Sequence, residues 1–133
     1  MNLIHTCYRI TDIDRSVAFY NVLGFDEVGR IPIRDEAVNV FMGIPGDGDM
    51  PGLELTYNFG VEEYEIGTGY GHIAITADDL DGTLARLAEQ GIAPEKPPYS
   101  IRGGGSRLCL VRDPERFGRN EYKTTTSGGV EWL

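Results

Sequence analysis

The chain repeats itself at a fixed offset, and this repeat constrains its fold more than any other feature. Sliding the sequence by 67 positions brings identical residues into register without a gap over a window of about 20 residues. The identical pairs are His5 and His72, Asp12 and Asp79, Asp14 and Asp81, Ala18 and Ala85, and Gly24 and Gly91. Identities that keep their order at one spacing indicate two copies of one supersecondary unit. We place the copies at residues 2–58 and 69–125, within a single domain spanning 1–133.

Both copies show the same order of strand and helix signals. Each opens with a partly alternating strand, over residues 3–10 and 71–77. A helix with an acidic start and a glycine at its end follows, over 14–23 and 81–90. Shorter strands complete the copies, at 27–31, 37–42 and 52–57 in the first and at 94–99, 107–111 and 120–125 in the second. The sequence therefore predicts an α+β fold made of two βαβββ modules.

Composition excludes several kinds of partner. Asp and Glu number 21 against 12 Lys and Arg, and the formal net charge of −9 opposes binding to a nucleic-acid backbone. The two cysteines, Cys7 and Cys109, are too few for a disulfide framework and lack C-x-x-C spacing, which favours a reducing compartment. We expect a cytoplasmic protein with no membrane partner, because the chain shows neither a secretory leader pattern nor a run of about 18 apolar residues.

The repeat places both histidines of the chain at equivalent positions, each with a glutamate at the same distance. His5 and His72 lie on the opening strands, and Glu54 and Glu121 each follow 49 residues later. Within residues 53–58, apolar side chains alternate and leave Glu54 on the polar face of a strand. A carboxylate in an otherwise apolar strand is costly to bury unless it is paired or binds a cation. Two imidazoles and two carboxylates related in this way predict a divalent metal site with positions open for water or substrate.

These residues also have ordinary structural explanations. A single histidine on a strand commonly serves as a hydrogen-bonding residue of the fold, and a single glutamate on a polar face is commonly solvated. The shared offset of all four residues favours the metal site over these explanations.

Four stretches of the chain carry a resemblance to a known family. They are residues 3–9, 14–20, 53–60 and 69–74. These stretches look like glyoxalase I (lactoylglutathione lyase), of the vicinal oxygen chelate superfamily, and the likeness covers about residues 1–114. The Glu-Leu-Thr-Tyr-Asn and Tyr-Gly-His-Ile-Ala segments are specific to glyoxalase I. The resemblance implies the glyoxalase/bleomycin-resistance/dioxygenase-like fold and a homodimer with metal sites at the subunit interface.

The resemblance also implies roles for individual residues. His5, Glu54 and His72 match three of the family's four metal ligands, and Arg9 and Asn58 match positions that hold the glutathione part of the substrate. Arg9 and Asn58 lie on the ligand-bearing strand faces by alternation, and a guanidinium binds a carboxylate through two hydrogen bonds. For Arg9, neutralisation of Glu54 is the alternative explanation. A further, weaker match places Arg102 with the basic residue that relatives carry in a glycine-rich loop.

The implied activity is metal-dependent isomerisation of the methylglyoxal–glutathione hemithioacetal to S-lactoylglutathione, which detoxifies methylglyoxal. The short chain is more similar to the nickel- or cobalt-activated members, so Ni²⁺ is expected, with Co²⁺ and Zn²⁺ as alternatives. A divalent metal acts as a Lewis acid that makes the adjacent C–H more acidic, and a carboxylate moves the proton to the neighbouring carbon. Glu121 is expected to be this base, with Glu54 as its symmetric partner.

The C-terminal segment departs from the family pattern. Relatives close with a strand resembling Asp-Pro-Asp-Gly-Tyr-x-Ile-Glu-Leu-Ile, whose Glu is the fourth ligand. Here the seventh position after Asp113 is Asn120, and Glu121 is the eighth. Because strand side chains alternate, this shift turns Glu121 away from the metal unless a bulge, for example at Gly118, restores the phase. Water or Glu115 are the alternative occupants of the fourth position.

This departure leaves other functions open. One is a non-catalytic or impaired binding protein of the same superfamily. Another is a different metal-dependent activity, such as that of an epimerase or a thiol transferase. Another low-molecular-weight thiol also remains an alternative to glutathione.

Overall fold

A four-stranded mixed sheet forms the framework of the N-terminal part of the chain. The computed structural model describes residues 1–100 and 107–115, and the chain divides into two units with the boundary after Glu65. The elements of the first unit are β1 (His5–Ile10), α1 (Ile13–Val22), β2 (Asp26–Ile33), β3 (Ala37–Gly43) and β4 (Gly52–Asn58). This is the βαβββ order predicted for the first copy.

The sheet brings the first and last strands of this unit side by side. Its strand order is β1-β4-β3-β2, with β1 parallel to β4 and the other neighbours antiparallel. Cys7 of β1 lies opposite Glu54 of β4, and Phe41 of β3 lies opposite Glu54 on its other side. Residues far apart in sequence therefore become neighbours on one sheet face.

The two faces of this sheet have different roles. Tyr8, Ile10, Leu53, Leu55 and Val40 are buried on one face, and α1, which contributes buried aromatic side chains, packs against the sheet. Because strand side chains alternate, the residues between them lie on the opposite face. That face carries His5 and Glu54 of the predicted metal site. Hydrophobic burial thus fixes which face is left for polar side chains.

The two helices begin in the same way. The carboxylate of Asp12 accepts a hydrogen bond from the backbone N–H of Arg15 at 2.9 Å, and that of Asp79 accepts one from Gly82 at 2.9 Å. Each carboxylate satisfies an N–H that has no partner within its helix. Helix α2 (Leu80–Glu89) therefore starts, like α1, one residue earlier than predicted.

The helices also end alike. Beyond α1, Gly24 has φ +94°, and beyond α2 its repeat equivalent Gly91 has φ +75°. Glycine adopts this left-handed conformation without a steric penalty, so it ends a helix readily. Each helix stops one residue before the predicted end.

The second unit contains α2 and a short antiparallel pairing. Tyr99 and Leu108 form an isolated bridge, and the N–H of Glu95 donates to the carbonyl of Leu110 at 2.8 Å. The strands predicted at 94–99 and 107–111 are thus reduced, within the described residues, to this local pairing. In both described helices, no segment is long and apolar enough to cross a membrane.

Residues 71–77, the predicted opening strand of the second unit, form no strand within the described part of the chain, although the burial of their side chains alternates. Ile73, Ile75 and Ala77 are half-buried, whereas His72 and Thr76 are exposed. In the first unit, the only sheet neighbour of β1 is β4. The segment equivalent to β4 is the predicted strand at 120–125, which lies outside the described residues.

Candidate metal centre

Strands β1 and β4 bring His5 and Glu54 into contact. The distance between His5 Nε2 and Glu54 Oε2 is 3.1 Å, and the side chains are 29% and 13% exposed. The imidazole ring also lies against Phe41, with ring centroids 5.8 Å apart. The pair is therefore partly screened from water but still accessible to a ligand.

The separation of these two atoms fits donors that share one metal ion. A nitrogen and an oxygen that each lie about 2.1 Å from a divalent ion are about 3 Å apart when the angle at the ion is near 90°. The observed 3.1 Å matches that arrangement. The residues present in the first unit therefore fit two adjacent positions of a divalent metal.

The other ring nitrogen of His5, Nδ1, has an environment different from that of Nε2. Nδ1 is buried, and within the described residues nothing accepts from it or donates to it. Metal-binding histidines commonly have their second nitrogen held by a carboxylate or carbonyl. Here the contacts with Glu54 and Phe41 are the ones that orient the ring.

Glu54 is held by a neighbour two residues along its own strand. The Thr56 hydroxyl donates to Glu54 Oε1 at 2.9 Å, which leaves Oε2 facing the imidazole. Sequence reasoning missed Thr56, although its spacing from Glu54 is the one that places two side chains on the same strand face.

Cys7 lies beside this group on β1. Its Sγ is 3.3 Å from Thr56 Oγ1. Burial raises the pKa of the Cys7 thiol above its ordinary value, and the nearby Glu54 carboxylate adds to that effect. The thiol is therefore protonated at neutral pH and is a polar neighbour of Glu54 and Thr56.

The predicted substrate residues lie further along the same two strands. Arg9 is exposed on β1, opposite Thr56, and Asn58 ends β4, where its Nδ2 donates to Tyr64 Oη at 2.9 Å. Four residues of strand separate Arg9 from His5, and Asn58 from Glu54, which corresponds to about 13 Å. The strand register places Arg9 only two residues beyond Cys7, which lies opposite Glu54, so the Cα atoms of Arg9 and Glu54 are about 8 Å apart.

Apolar side chains continue the same face beyond the polar strands. Ile31 and Ile33 of β2 lie opposite Asn39 and Ala37, and both isoleucines are exposed. The face is therefore polar along β1 and β4 and apolar along β2, a combination that suits a ligand with a charged end and an apolar part.

The remaining predicted site residues belong to the second unit. His72 is exposed on the alternating segment 71–77. Glu121 and Arg102 lie outside the described residues. Among residues 1–100 and 107–115, no group of three or more His, Cys, Asp or Glu side chains is close enough to hold a metal ion.

Tyr70 precedes His72 in a partly buried environment. Burial raises the pKa of the Tyr70 phenol to about 12, with a smaller contribution from the Asp113 carboxylate. The phenol is therefore neutral throughout the physiological pH range.

Comparison with known proteins identifies the family. Residues 2–118 match the family model of the Glyoxalase/Bleomycin resistance protein/Dioxygenase superfamily. The chain belongs to this superfamily. Its α+β architecture is accordingly that of a glyoxalase domain, as predicted.

Curated relatives of this glyoxalase-superfamily chain include lactoylglutathione lyases from bacteria and plants. That of Haemophilus influenzae is 35% identical over 132 residues, which cover 96% of this chain and 98% of the relative. That of Salmonella typhimurium is 34% identical over 119 residues, or 88% of each chain. A lactoylglutathione lyase of Arabidopsis thaliana is 35% identical over 116 residues and 86% of this chain, but only 41% of its own length is covered. The chain thus spans about two-fifths of that plant relative.

Solved structures of glyoxalase domains show the same fold. Glyoxalase I from Zea mays has a TM-score of 0.80 and 29% identity, covering 95% of this chain and 44% of the maize chain. The trypanothione-dependent glyoxalase I of Leishmania major has a TM-score of 0.73 and 29% identity, covering 95% of this chain and 86% of that one.

Proposed function

We propose that this chain is a metal-dependent glyoxalase I, which isomerises the methylglyoxal–glutathione hemithioacetal to S-lactoylglutathione and so detoxifies methylglyoxal. The observation that carries the proposal is the pair of His5 and Glu54, with 3.1 Å between Nε2 and Oε2 on the open face of the sheet. Relatives named lactoylglutathione lyase, at 35% and 34% identity, support the reaction class.

The proposed ligand set takes equivalent residues from both units. His5 and Glu54 come from the first unit, and His72 and Glu121 are their partners at the offset of 67. Imidazole and carboxylate donors suit first-row divalent ions, and we propose Ni²⁺ as the cofactor, with Co²⁺ and Zn²⁺ as alternatives. From the resemblance to glyoxalase I, we also propose a homodimer whose metal sites lie at the subunit interface.

Arg9, Asn58 and Arg102 are the proposed glutathione-binding residues. Arg9 lies about 8 Å from Glu54 across the β1–β4 pair, and Asn58 lies about 13 Å from Glu54 along β4, distances comparable to the reach of about 10 Å of an extended tripeptide. The Arg9 guanidinium suits a terminal carboxylate of the tripeptide, and the Asn58 amide supplies a directional hydrogen bond. A thiol compound of similar length and terminal charge would meet the same contacts.

The proposed chemistry assigns different tasks to the two glutamates. A bound divalent metal supplies Lewis acidity, which lowers the pKa of the C–H to be broken. Glu54 has one oxygen engaged by Thr56 and the other directed at His5, which suits a fixed ligand better than a mobile base. Glu121 is the proposed base that takes the proton from one carbon and returns it to the next.

We also propose that the protein works in the cytoplasm. Cys7 and Cys109 are both free thiols, which is the usual state of cysteines in a reducing compartment.

The activity test combines metal content with thioester formation. Purified protein loaded with Ni²⁺, Co²⁺ or Zn²⁺ is mixed with methylglyoxal and glutathione, and thioester absorbance is followed. We expect Glu54→Gln to lower kcat/KM at least about 100-fold, because it removes an anionic ligand. Glu62→Gln, which neutralises an exposed carboxylate of the same unit, should retain the parent rate.

Two outcomes would contradict parts of this proposal. Full activity of Glu121→Gln would remove Glu121 from the role of base. No activity of the parent with any of the three metals would contradict the enzymatic function and favour a binding protein of the superfamily.

A further inference from the structure

The Thr56 hydroxyl occupies the centre of a polar cluster on the open face of the first unit. Its Oγ1 lies 2.9 Å from Glu54 Oε1, 3.2 Å from Asn39 Oδ1 and 3.3 Å from Cys7 Sγ. These neighbours come from three adjacent strands, β1, β3 and β4. A single hydroxyl therefore links the proposed carboxylate ligand to the rest of the sheet.

The single proton of this hydroxyl decides how the cluster is connected. A threonine hydroxyl donates one hydrogen bond and accepts up to two, whereas an ionised carboxylate only accepts. The contact with Glu54 is the shorter of the two that need the proton and involves the charged acceptor, so the proton lies on that bond. The Cys7 thiol can donate weakly to the remaining lone pairs of Oγ1.

We infer that Thr56 is a positioning residue, which holds Glu54 Oε1 so that Oε2 alone is presented with His5 Nε2 to the metal. This inference rests on the proposed function, because it assigns Glu54 as a ligand. Oε1 is engaged at 2.9 Å and Oε2 lies 3.1 Å from the imidazole, so each oxygen has a separate task. Without the hydroxyl, the carboxylate can rotate about its last bond and lose this presentation.

A merely structural hydroxyl would behave differently. It would compensate the burial of Glu54 and Asn39, and its loss would lower the stability of the metal-free protein without changing metal affinity. The test must therefore measure metal affinity directly, because a loss of stability alone would not distinguish the two roles.

The experiment compares four proteins by calorimetric titration with Ni²⁺. Thr56→Val removes the hydroxyl and keeps the shape, Thr56→Ser keeps the hydroxyl, and Thr6→Val makes the same change on β1 at an exposed position of the opposite face. We expect Thr56→Val to raise the metal Kd about 10- to 100-fold, and Thr56→Ser and Thr6→Val to stay within about threefold of the parent. The Co²⁺ absorption spectrum should change for Thr56→Val alone, because the Glu54 carboxylate is then no longer held in the orientation that presents Oε2.

Each result has a distinct consequence. A Kd for Thr56→Val within about twofold of the parent overturns this inference and leaves the proposed function standing. A loss of metal affinity for Thr56→Ser as large as that for Thr56→Val also overturns it, because the hydroxyl would then not be the group that holds Glu54. A parent that binds no metal overturns both the inference and the proposed function. If circular dichroism shows that Thr56→Val is unfolded, Thr56→Ala removes the same hydroxyl without adding an apolar branch and takes its place.

Discussion

Ser16 and Thr83 show how repeat-equivalent residues acquire different environments. They are 67 positions apart, and both are buried, with 1% and 7% exposure. The Thr83 hydroxyl donates to the carbonyl of Asp79 at 2.9 Å and accepts from Arg86 Nη2 at 3.0 Å. Ser16 Oγ has no hydrogen-bond partner within the described residues. Ser16 therefore shows the free energy lost when a hydroxyl is buried without a partner, and Thr83 shows how hydrogen bonds offset that loss.

We expect Ser16→Ala and Thr83→Val to change stability in opposite directions. Ser16→Ala removes an unsatisfied buried hydroxyl and should raise the free energy of unfolding by about 0.5–1 kcal/mol. Thr83→Val breaks satisfied hydrogen bonds and should lower it by about 1 kcal/mol. Urea unfolding followed by circular dichroism measures both. A decrease for Ser16→Ala similar to that for Thr83→Val would contradict this explanation.

Glu54 shows how much of a residue's environment a sequence can predict. Its position in an alternating apolar strand predicts that the carboxylate needs a partner, and the structure supplies two, His5 and Thr56. The sequence predicted the need because it depends on the strand's own pattern. The sequence did not predict Thr56 as the donor, because a threonine on a strand can equally well be a solvated surface residue.

At the scale of elements, a bulge in β2 creates an ion pair that regular strand geometry forbids. Residues three apart on a regular strand point to opposite faces. The register of β2 with β3 shifts between Glu27 and Gly29, and this extra residue returns Arg30 to the face of Glu27. The guanidinium then donates to both carboxylate oxygens at 2.8 Å.

This ion pair predicts a pH dependence of stability. Hydrogen bonding from Arg30 lowers the pKa of Glu27 below its ordinary value of 4.5. A lowered pKa in the folded state means that the stabilisation is fully present above about pH 4.5 and is lost as the pH falls through the folded value. Because the two side chains are 45% and 31% exposed, solvent limits the contribution to about 0.5 kcal/mol.

A double-mutant cycle with Glu27→Gln, Arg30→Gln and the double variant measures this contribution. The coupling free energy should be near 0.5 kcal/mol at pH 7 and near zero at about pH 3. A coupling that is unchanged or larger at pH 3 would contradict the assignment.

The elements were predicted unevenly. The caps and terminal glycines of α1 and α2 are determined by residues within one turn of each helix end. The sequence therefore predicted the ends of both helices to within one residue. Strand β2 extends beyond the predicted 27–31, because its limits are set by pairing with β3 rather than by its own composition. The bulge had no signal in the sequence for the same reason.

At the scale of the whole molecule, the proposed ligand set can be tested through the two histidines of the chain. His5 belongs to the first unit and His72 to the second. If both bind one kind of ion, each contributes to the stability that metal binding adds to the fold. Replacing each histidine and measuring the stability gained from metal therefore tests the ligand set.

We expect Ni²⁺ to raise the Tm of the parent and both histidine variants to lose most of that rise. A ligand at about 100 times its Kd adds about 2.7 kcal/mol, or about 10 °C for a chain of this size. His5→Gln and His72→Gln should each reduce the shift to a few degrees, whereas Glu62→Gln should keep it, as measured by differential scanning calorimetry with and without metal. A full shift for His72→Gln beside a lost shift for His5→Gln would exclude His72 from the ligand set.

The sequence by itself determined the repeat, the helix ends and the side-chain faces of the strands. These features depend on local rules, because a cap, a left-handed glycine or an alternating strand involves residues only a few positions apart. The family resemblance followed from the same local segments, and the superfamily match confirms it.

Only the tertiary structure decided which strands are neighbours. The parallel pairing of β1 with β4 brings Cys7 opposite Glu54 and His5 within 3.1 Å of the carboxylate, across 49 residues of chain. Such contacts form when backbone hydrogen bonds join distant segments and hydrophobic burial selects one register. A sequence pattern can propose that two residues share a site, but the distance, the partner oxygen and the supporting hydroxyl of Thr56 arise only when the sheet is assembled.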